Sequence, residues 1–447
     1  MTSRDTIFAL STPSGRGAIS VIRVSGPQSR VILETLVGDS PDPRRFRVRR
    51  IKDPESQEVI DQAVVVWLPG PQSYTGEDSA EFHLHASAAV QRAMLGVLAQ
   101  FSEVRPAEPG EFTQRAVLNG KLDLVEAEGL ADLIDAQTVR QRQQALSQLL
   151  GHASTVFDSW RERLLLIRAD IEAAVDFSDE PGVAEEACAR IDAQVSRLVE
   201  EMEREVARSR NAEIVKAGVR VVLAGLPNTG KSSLLNALAR RDAAIVSEIP
   251  GTTRDVIEVH IELEGLAVIL TDTAGLRDDV TDIVEAEGVR RTRSRLSAAD
   301  VVVWVASPDV DGSYEYDRAA SPDVIVSAKR DLCDQESGPL RNEVSGLLVF
   351  PVSTRTGDGI PGLVARISQL VRREAGDHNA LIASARQKQA TLDSVGALMD
   401  CLGIPKEALE LKAEALRRAS DAIGRLTGRI EVEEWLGAIF SRFCIGK

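Results

Sequence analysis

The sequence predicts a chain that is part α/β and part α. An N-terminal α+β domain comes first, then a helical bundle domain, and a doubly wound, mainly parallel α/β domain is inserted into that bundle. Three observations predict it. Apolar segments of period two mix with helical spacing over residues 1–120; long stretches of period 3.6 begin at Lys121 and return from about Ala380; strand and helix alternate through 217–377. A length of 447 residues agrees, because one hydrophobic core rarely grows past about 250–300 residues.

In the first domain Ala18–Val24 and Gln62–Leu68 alternate as half-buried strands, and Ala88–Phe101 has helical spacing. Pro106, Pro109 and Gly110 then break the pattern. From Lys121 onward Leu122, Val125, Leu130, Leu133 and Ile134 fall on one side of a helix. Leu146–Ala174 and Ile191–Val206 continue the helical pattern. Near the end Leu392, Val395, Leu398, Met399 and Leu402 share a face before Pro405 interrupts. The two helical halves, 121–216 and 378–447, are expected to pack together as one bundle.

Composition narrows the class. Apolar residues form 43% of the chain and charged residues 27%, as in globular proteins that bury real cores. The opening MTSRDTIFAL is not a signal peptide, and no uncharged run approaches the ~20 apolar residues of a membrane span, so no membrane association and a cytoplasmic location are expected. Cys188, Cys333, Cys401 and Cys444 lie far apart, against a structural zinc site and in keeping with a reducing compartment. A formal charge of −15 opposes indiscriminate nucleic-acid binding. The densest positive stretches, Arg44–Arg50 and Arg290–Arg295, read as solvated basic faces.

Val219–Ala224 suits a buried strand and leads straight into GLPNTGKSS, Gly225–Ser233, with a helix expected after it. That is G-x-x-x-x-G-K-[ST] in the strand–loop–helix context it requires. Glycines let the backbone of Asn228, Thr229 and Gly230 wrap phosphates, and the helix start presents free N–H groups to their charge. Lys231 would reach the β and γ phosphates, and Ser232, ahead of Ser233, would ligate Mg²⁺. Ala267–Thr271 reads as a strand ending in Asp272, Thr273, Ala274 and Gly275. Asp272 can hold Mg²⁺ through water and the Gly275 amide can meet the γ-phosphate. Thr252 and Thr253 could close over the nucleotide by binding the metal. Val324–Val326 runs into Ala328, Lys329, Arg330 and Asp331, where a carboxylate can accept two hydrogen bonds from a guanine edge. Ser353, Thr354 and Arg355 would complete the base pocket. The motif order is that of a Ras-like P-loop GTPase domain binding GTP and GDP. Ala328 stands where such domains carry Asn, and the lost amide is expected to cost about 1–3 kcal/mol of nucleotide affinity.

Ras-like enzymes orient the attacking water with a Gln after the DTAG glycine. Here that residue is Leu276, so another group must act. Glu285 is the first candidate and Glu287 the second, against their being plain exposed glutamates on a charged helix.

Further motifs run through the whole chain: Thr12–Gly17 (TPSGRG), Arg23–Gly26 (RVSG), Pro69–Asp78 (PGPQSYTGED), Arg105–Phe112 (RPAEPGEF), Leu118–Asp123 (LNGKLD), Ala131–Ala136 (ADLIDA), Gly251–Asp255 (GTTRD) and Phe443–Lys447 (FCIGK). With them the chain resembles the tRNA-modifying GTPase family MnmE, also called TrmE. The resemblance implies a homodimer joined through folate-binding-like N-terminal domains that take 5-formyl-tetrahydrofolate or a related formyl-folate. Matching positions are Arg23, Glu81, Lys121 and Lys447, although the Gly-rich stretch after Glu81 is here His83–Ser87 (HLHAS). It also implies a K⁺ ion beside the phosphates, with Asn228, Ser247, Ile249 and Thr252 as ligands, Mg²⁺ on Ser232 and Thr253, and Glu285 as the water-orienting residue. GTP contacts would extend through Ser247, Glu248, Ile249, Pro250, Gly251, Thr252 and Thr253. The implied partners are tRNA and the FAD- and NADH-dependent MnmG, in a heterotetramer that modifies the 5-position of wobble uridine to carry an aminomethyl or carboxymethylaminomethyl group. Cys444 then reads as a thiol close to the folate site, since the final Gly-Lys is a poor prenylation box. The alternative reading is a regulatory or ribosome-assembly GTPase switch without modification activity, whose nucleotide motifs would look the same. An ATP-using kinase or transporter is disfavoured by Asp331.

Overall fold

Cross-strand pairing builds the first sheet from β1 (Thr6–Leu10), β2 (Ile19–Ser25), β3 (Arg47–Lys52), β4 (Val59–Leu68), β5 (Ser79–His85) and β6 (Val104–Pro106), in the order β3–β4–β5–β2–β1–β6. The computed structural model describes the chain apart from residues 1–4, 14, 40, 177–182, 242–257, 273–295, 317–320, 333–339, 342–346, 377–379, 429–442, 444–445 and 447. Contacts divide it into two units: 1–131 with 148–192 and 396–447, and 132–147 with 193–395.

In the first unit the sheet is antiparallel except for the parallel β1–β6 pair. Period-two alternation buries Ile22, Val24, Val65, Phe82 and Leu84, which pack with Ile32 and Leu33 of α1 (Ser29–Val37) and Met94 and Leu98 of α2 (Ala88–Leu98). The basic stretch Arg44–Arg50 becomes the edge of this sheet; Arg47 pairs with Asp42 and Arg49 with Asp39, a charged edge that discourages strand addition. Helices α3 (Glu111–Leu118), α4 (Leu124–Asp135), α5 (Val139–Leu149), α6 (His152–Asp176) and α7 (Val183–Ala217) follow. The helical run expected over Leu146–Ala174 is broken at Gly151, whose φ of +78° is a left-handed conformation that ends α5 before α6 begins. Buried Phe157 and Trp160 anchor α6.

The second unit holds a mainly parallel sheet: β7 (Val219–Ala224), β8 (Glu258–Leu263), β9 (Leu266–Asp272), β10 (Val301–Ala306), β11 (Val324–Ser327), β12 (Leu340–Arg341) and β13 (Leu348–Pro351), ordered β12–β13–β11–β10–β7–β9–β8. Among the described strands of this sheet only the two outermost, β8 and β12, run antiparallel to their neighbours. Strands buried on both faces read as continuous apolar runs, and every residue of β10 is buried. Helix α8 (Lys231–Arg241) follows β7, and α9 (Ile360–Ala375) packs Leu363, Ile367, Leu370 and Val371 into the core of this sheet.

The last helices are α10 (Ala385–Gly403) and α11 (Leu409–Gly424). The apolar stripe expected on α10 is corrected: Leu392 is 40% and Met399 52% exposed, while Thr391, Ser394, Ala397 and Cys401 are buried beside Val395 and Leu398. Small side chains let a helix approach its neighbours closely, so packing selects that face over the bulkier one. In the first unit α11 lies along α6, and the fully buried Lys412 donates to Asp192 Oδ1 at 2.7 Å and to the Cys401 carbonyl at 2.9 Å. No helix among the described residues is long and apolar enough to cross a membrane.

Candidate nucleotide site and N-terminal ligand site

Parallel register brings the predicted nucleotide residues to one end of the second sheet. Leu223 pairs with Asp272, Ala224 with Trp304, Ala306 with Ser327, and Ser327 with Pro351. Strands β7, β9, β10, β11 and β13 therefore end side by side at their carboxyl termini, where ligands of open α/β sheets bind.

The loop after β7 owes its shape to three residues. Gly225 has φ +148°, and a Cβ there would lie 2.2 Å from the Val305 carbonyl oxygen, so only glycine fits. Asn228 and Gly230 also take positive φ, +63° and +97°. Helix α8 starts at Lys231, so the first-turn amides through Ser233 have no acceptor within the helix. Lys231 is buried, and its Nζ donates to the Leu226 carbonyl at 2.7 Å; the Thr229 hydroxyl donates to the same oxygen at 2.9 Å. Ser232 Oγ donates to Asp272 Oδ2 at 2.6 Å across the β7–β9 pair. A hydroxyl and a carboxylate oxygen so close are a hard-oxygen set suited to Mg²⁺.

At the other end of the site Asp331 lies in a 3-10 turn after β11. Its carboxylate accepts the Ser353 hydroxyl at 2.7 Å and pairs with Arg355 at 2.9 Å. These two partners hold its pKa below the ordinary Asp range, the Ser353 hydrogen bond first. Lys329, at φ +54°, donates to the Asn228 carbonyl at 2.8 Å and so ties the two loops together. Ala328 is buried with its Cβ toward Gly230. β10 lies between β7 and β11, so phosphate loop and carboxylate are two strand spacings of ~4.8 Å apart. Sequence reasoning missed Asp309, which pairs with Lys329 at 2.7 Å; nothing in Ser307–Asp309 marks it by motif.

In the first unit Arg23 and Glu81 are cross-strand partners on β2 and β5, joined at 2.9 Å, with side chains 22% and 17% exposed. The Arg23 guanidinium lies 5.2 Å from the Tyr74 ring centre and 5.7 Å from that of Phe112. His83 Nε2 stands 3.2 Å from Glu81 Oε2, and that hydrogen bond, joined by the charge of Arg23, holds Glu81 below the usual carboxylate range despite burial. Tyr74 lies in the Pro69–Asp78 motif and Phe112 in Arg105–Phe112, yet only the fold brings them to Arg23. Lys121 is exposed, and its stem packs where a Cβ on Gly76 would come within 3.3 Å, beside the loop that carries Tyr74. Gly446, at φ +100°, would place a Cβ 2.3 Å from the carbonyl oxygen of Leu10, the residue paired with Ile22 next to Arg23.

Ser247, Glu248, Ile249, Pro250, Gly251, Thr252, Thr253, Thr273, Ala274, Gly275, Glu285, Cys444 and Lys447 lie outside the described residues. Arg330 and Thr354 are chain neighbours of Asp331 and Ser353 in the base-side cluster.

Backbone that can grip phosphate on one strand tip, and a carboxylate with its own serine two strands away, are the division of labour of a P-loop GTPase-like domain. Comparison with known proteins narrows the class. Residues 6–121 match the family model "GTP-binding protein TrmE N-terminus", and 124–444 match "MnmE helical domain". A protein of Methylobacterium sp. (strain 4-46) named tRNA modification GTPase MnmE is 47% identical, over 99% of this chain and 100% of its own. Proteins of the same name from Beijerinckia indica and Phenylobacterium zucineum are each 46% identical over 99% of this chain, covering 96% and 100% of their own lengths. The chain belongs to the MnmE (TrmE) family.

Proposed function

We propose that this chain is a potassium-activated GTPase that acts with the FAD- and NADH-dependent protein MnmG on tRNA, adding an aminomethyl or carboxymethylaminomethyl group at the 5-position of wobble uridine. A formyl-tetrahydrofolate is the one-carbon source. The observation that carries the GTPase reading is the pairing of Ser232 with Asp272 on one side and of Asp331 with Ser353 on the other, at the same end of one sheet. The relatives' shared name, tRNA modification GTPase, supports the substrate.

In this reading Lys231 leaves the Leu226 carbonyl to meet the β and γ phosphates, and the amides of Gly230–Ser233 hold their charge. Asp331 accepts the two guanine N–H donors. Glu285 orients the attacking water, in place of the glutamine that Leu276 excludes. Ser232 and Thr253 would hold Mg²⁺, and Asn228, Ser247, Ile249 and Thr252 would hold K⁺; when bound, these ions would supply positive charge that lowers the cost of phosphoryl transfer. Arg23, Glu81, Lys121 and Lys447 hold the folate, a ligand whose carboxylates suit the cations and whose ring N–H groups suit Glu81.

The proposed division of labour follows four segments: 1–120 for dimerisation and folate, 121–216 and 378–447 as halves of the helical domain, and 217–377 for GTP. The working form is a cytoplasmic homodimer. The test is steady-state GTP hydrolysis in K⁺ and in Na⁺, for the native chain and for Glu285→Ala. Faster turnover in K⁺ and a loss of about 10²–10⁴-fold in the variant are expected. Equal rates in both salts, with Glu285→Ala fully active, defeat it.

A further inference from the structure

Alanine at 328 removes a side chain that could tie the base-reading turn to the phosphate loop, and the tie must come from elsewhere. Ala328 is 2% exposed, and its Cβ lies 3.7 Å from the place a Cβ on Gly230 would take. A longer side chain at 328 would thus reach the phosphate loop; the methyl group makes no hydrogen bond to it.

The segment after β10 is knitted into the fold. Ser307 N donates to Ser313 Oγ at 3.1 Å, and Ser313 Oγ donates back to the Ser307 carbonyl at 2.7 Å. The Trp304 indole donates to the Ser313 carbonyl at 2.8 Å, and the Tyr314 hydroxyl meets Ser327 Oγ, next to Ala328, at 2.6 Å. This segment presents Asp309, whose carboxylate accepts the Ser307 hydroxyl and, at 2.7 Å, Lys329 Nζ. The same Nζ donates to the Asn228 carbonyl at 2.8 Å.

We propose that Asp309 is a positioning residue for guanine nucleotides: by clamping Lys329 onto the Asn228 carbonyl, it takes over the tie that position 328 lacks. A lysine stem otherwise samples many rotamers, and binding would have to order it at a cost in entropy. Held at its tip from two sides, the stem is ordered beforehand and offers a fixed apolar edge to a purine face. The clamp is built from a strand end, a serine-pinned turn and the phosphate loop, all parts of the chain itself.

The inference rests on the guanine reading of Asp331, and the experiment separates the two. Affinity of the full chain for a fluorescent GDP is measured with KM and kcat for GTP. Asp309→Ala is expected to weaken GDP about two- to fivefold, the range of a partly exposed ion pair, with KM rising alike and kcat at saturation holding. Asp309→Asn, which keeps shape and acceptor oxygen, falls between. Lys329→Ala costs less in the Asp309→Ala background than alone, because the two act as a unit. Adding Ala328→Asn to Asp309→Ala restores affinity, which loss of a merely structural residue would not allow. Native affinity in both Asp309 variants, or full additivity with Lys329→Ala, overturns the proposal. Failure of Asp331→Asn to change base preference refutes the base reading instead, and leaves the 309–329 coupling measurable with any purine nucleotide.

Discussion

Asp331→Asn tests the base reading most directly. The carboxylate is 15% exposed and already shaped as an acceptor, with Ser353 on one oxygen and Arg355 on the other. Guanine offers two N–H donors on the edge it would face. Hydrogen bonds to a charged group contribute about 1.5–3 kcal/mol each, so the pair is worth about 3–6 kcal/mol. The amide keeps the size, loses the charge, and turns one acceptor into a donor. Guanine affinity should therefore fall by about 10²–10⁴-fold. The broken ion pair is a minor correction, since Arg355 is 75% exposed and solvent screens the contact. Xanthine, with a carbonyl where guanine has its amino group, should gain what guanine loses. The assay is competition of GDP, XDP and ADP against a fluorescent GDP or XDP on the native chain and the variant. A variant that still prefers GDP over XDP, or a native chain from which ADP competes as well as GDP, refutes the reasoning.

Other perturbations probe other parts. Gly446→Ala would drive a Cβ into the Leu10 carbonyl and impose a side chain at φ +100°; formyl-tetrahydrofolate binding, followed by calorimetry, should weaken at least about tenfold by that strain while GTP hydrolysis continues. Asp192→Ala strands the fully buried Lys412 ammonium and should lower unfolding free energy by about 3 kcal/mol in urea melts, whereas Lys412→Met should cost far less. Glu81, Asp5 and Glu111 all have depressed carboxyl pKa values in the fold, Glu81 through His83 and Arg23, the other two through arginine contacts that outweigh burial. Groups of that kind add stability that is fully present above the unfolded pKa, about 4.5 for Glu, and is lost as pH falls through the lower folded value. Hydrogen exchange over residues 5–112 should hold steady from pH 7 to about 5, after correction for intrinsic rates, and speed up below about pH 4.5; flat protection down to pH 3 would contradict the ion-pair account.

The shape of the loop at the candidate nucleotide site was legible because its backbone preferences are local. Gly225, Asn228, Gly230 and Lys231 set the loop and the helix start by their own backbone preferences, and the apolar run before them is buried on both faces of a parallel sheet. The stripe expected on the helix over Ala385–Gly403 failed for the opposite reason. Periodicity counts bulky apolar residues, but close packing chose the small ones, Thr391, Ser394, Ala397 and Cys401. Asp309 left no signal, since an aspartate in a turn after a strand looks like any other until Lys329 is placed beside it.

By itself the sequence determined that a P-loop motif follows a buried strand and that an α/β domain interrupts a helical one, because both follow from contiguous residues and short periods. Only the tertiary structure decided that Arg23 sits against Tyr74 and Phe112 and pairs with Glu81, 58 residues away, and that Lys329 reaches Asn228 across 101 residues. Strand order and register set those meetings. Both are chosen by the packing of the whole sheet, which no short stretch of chain encodes.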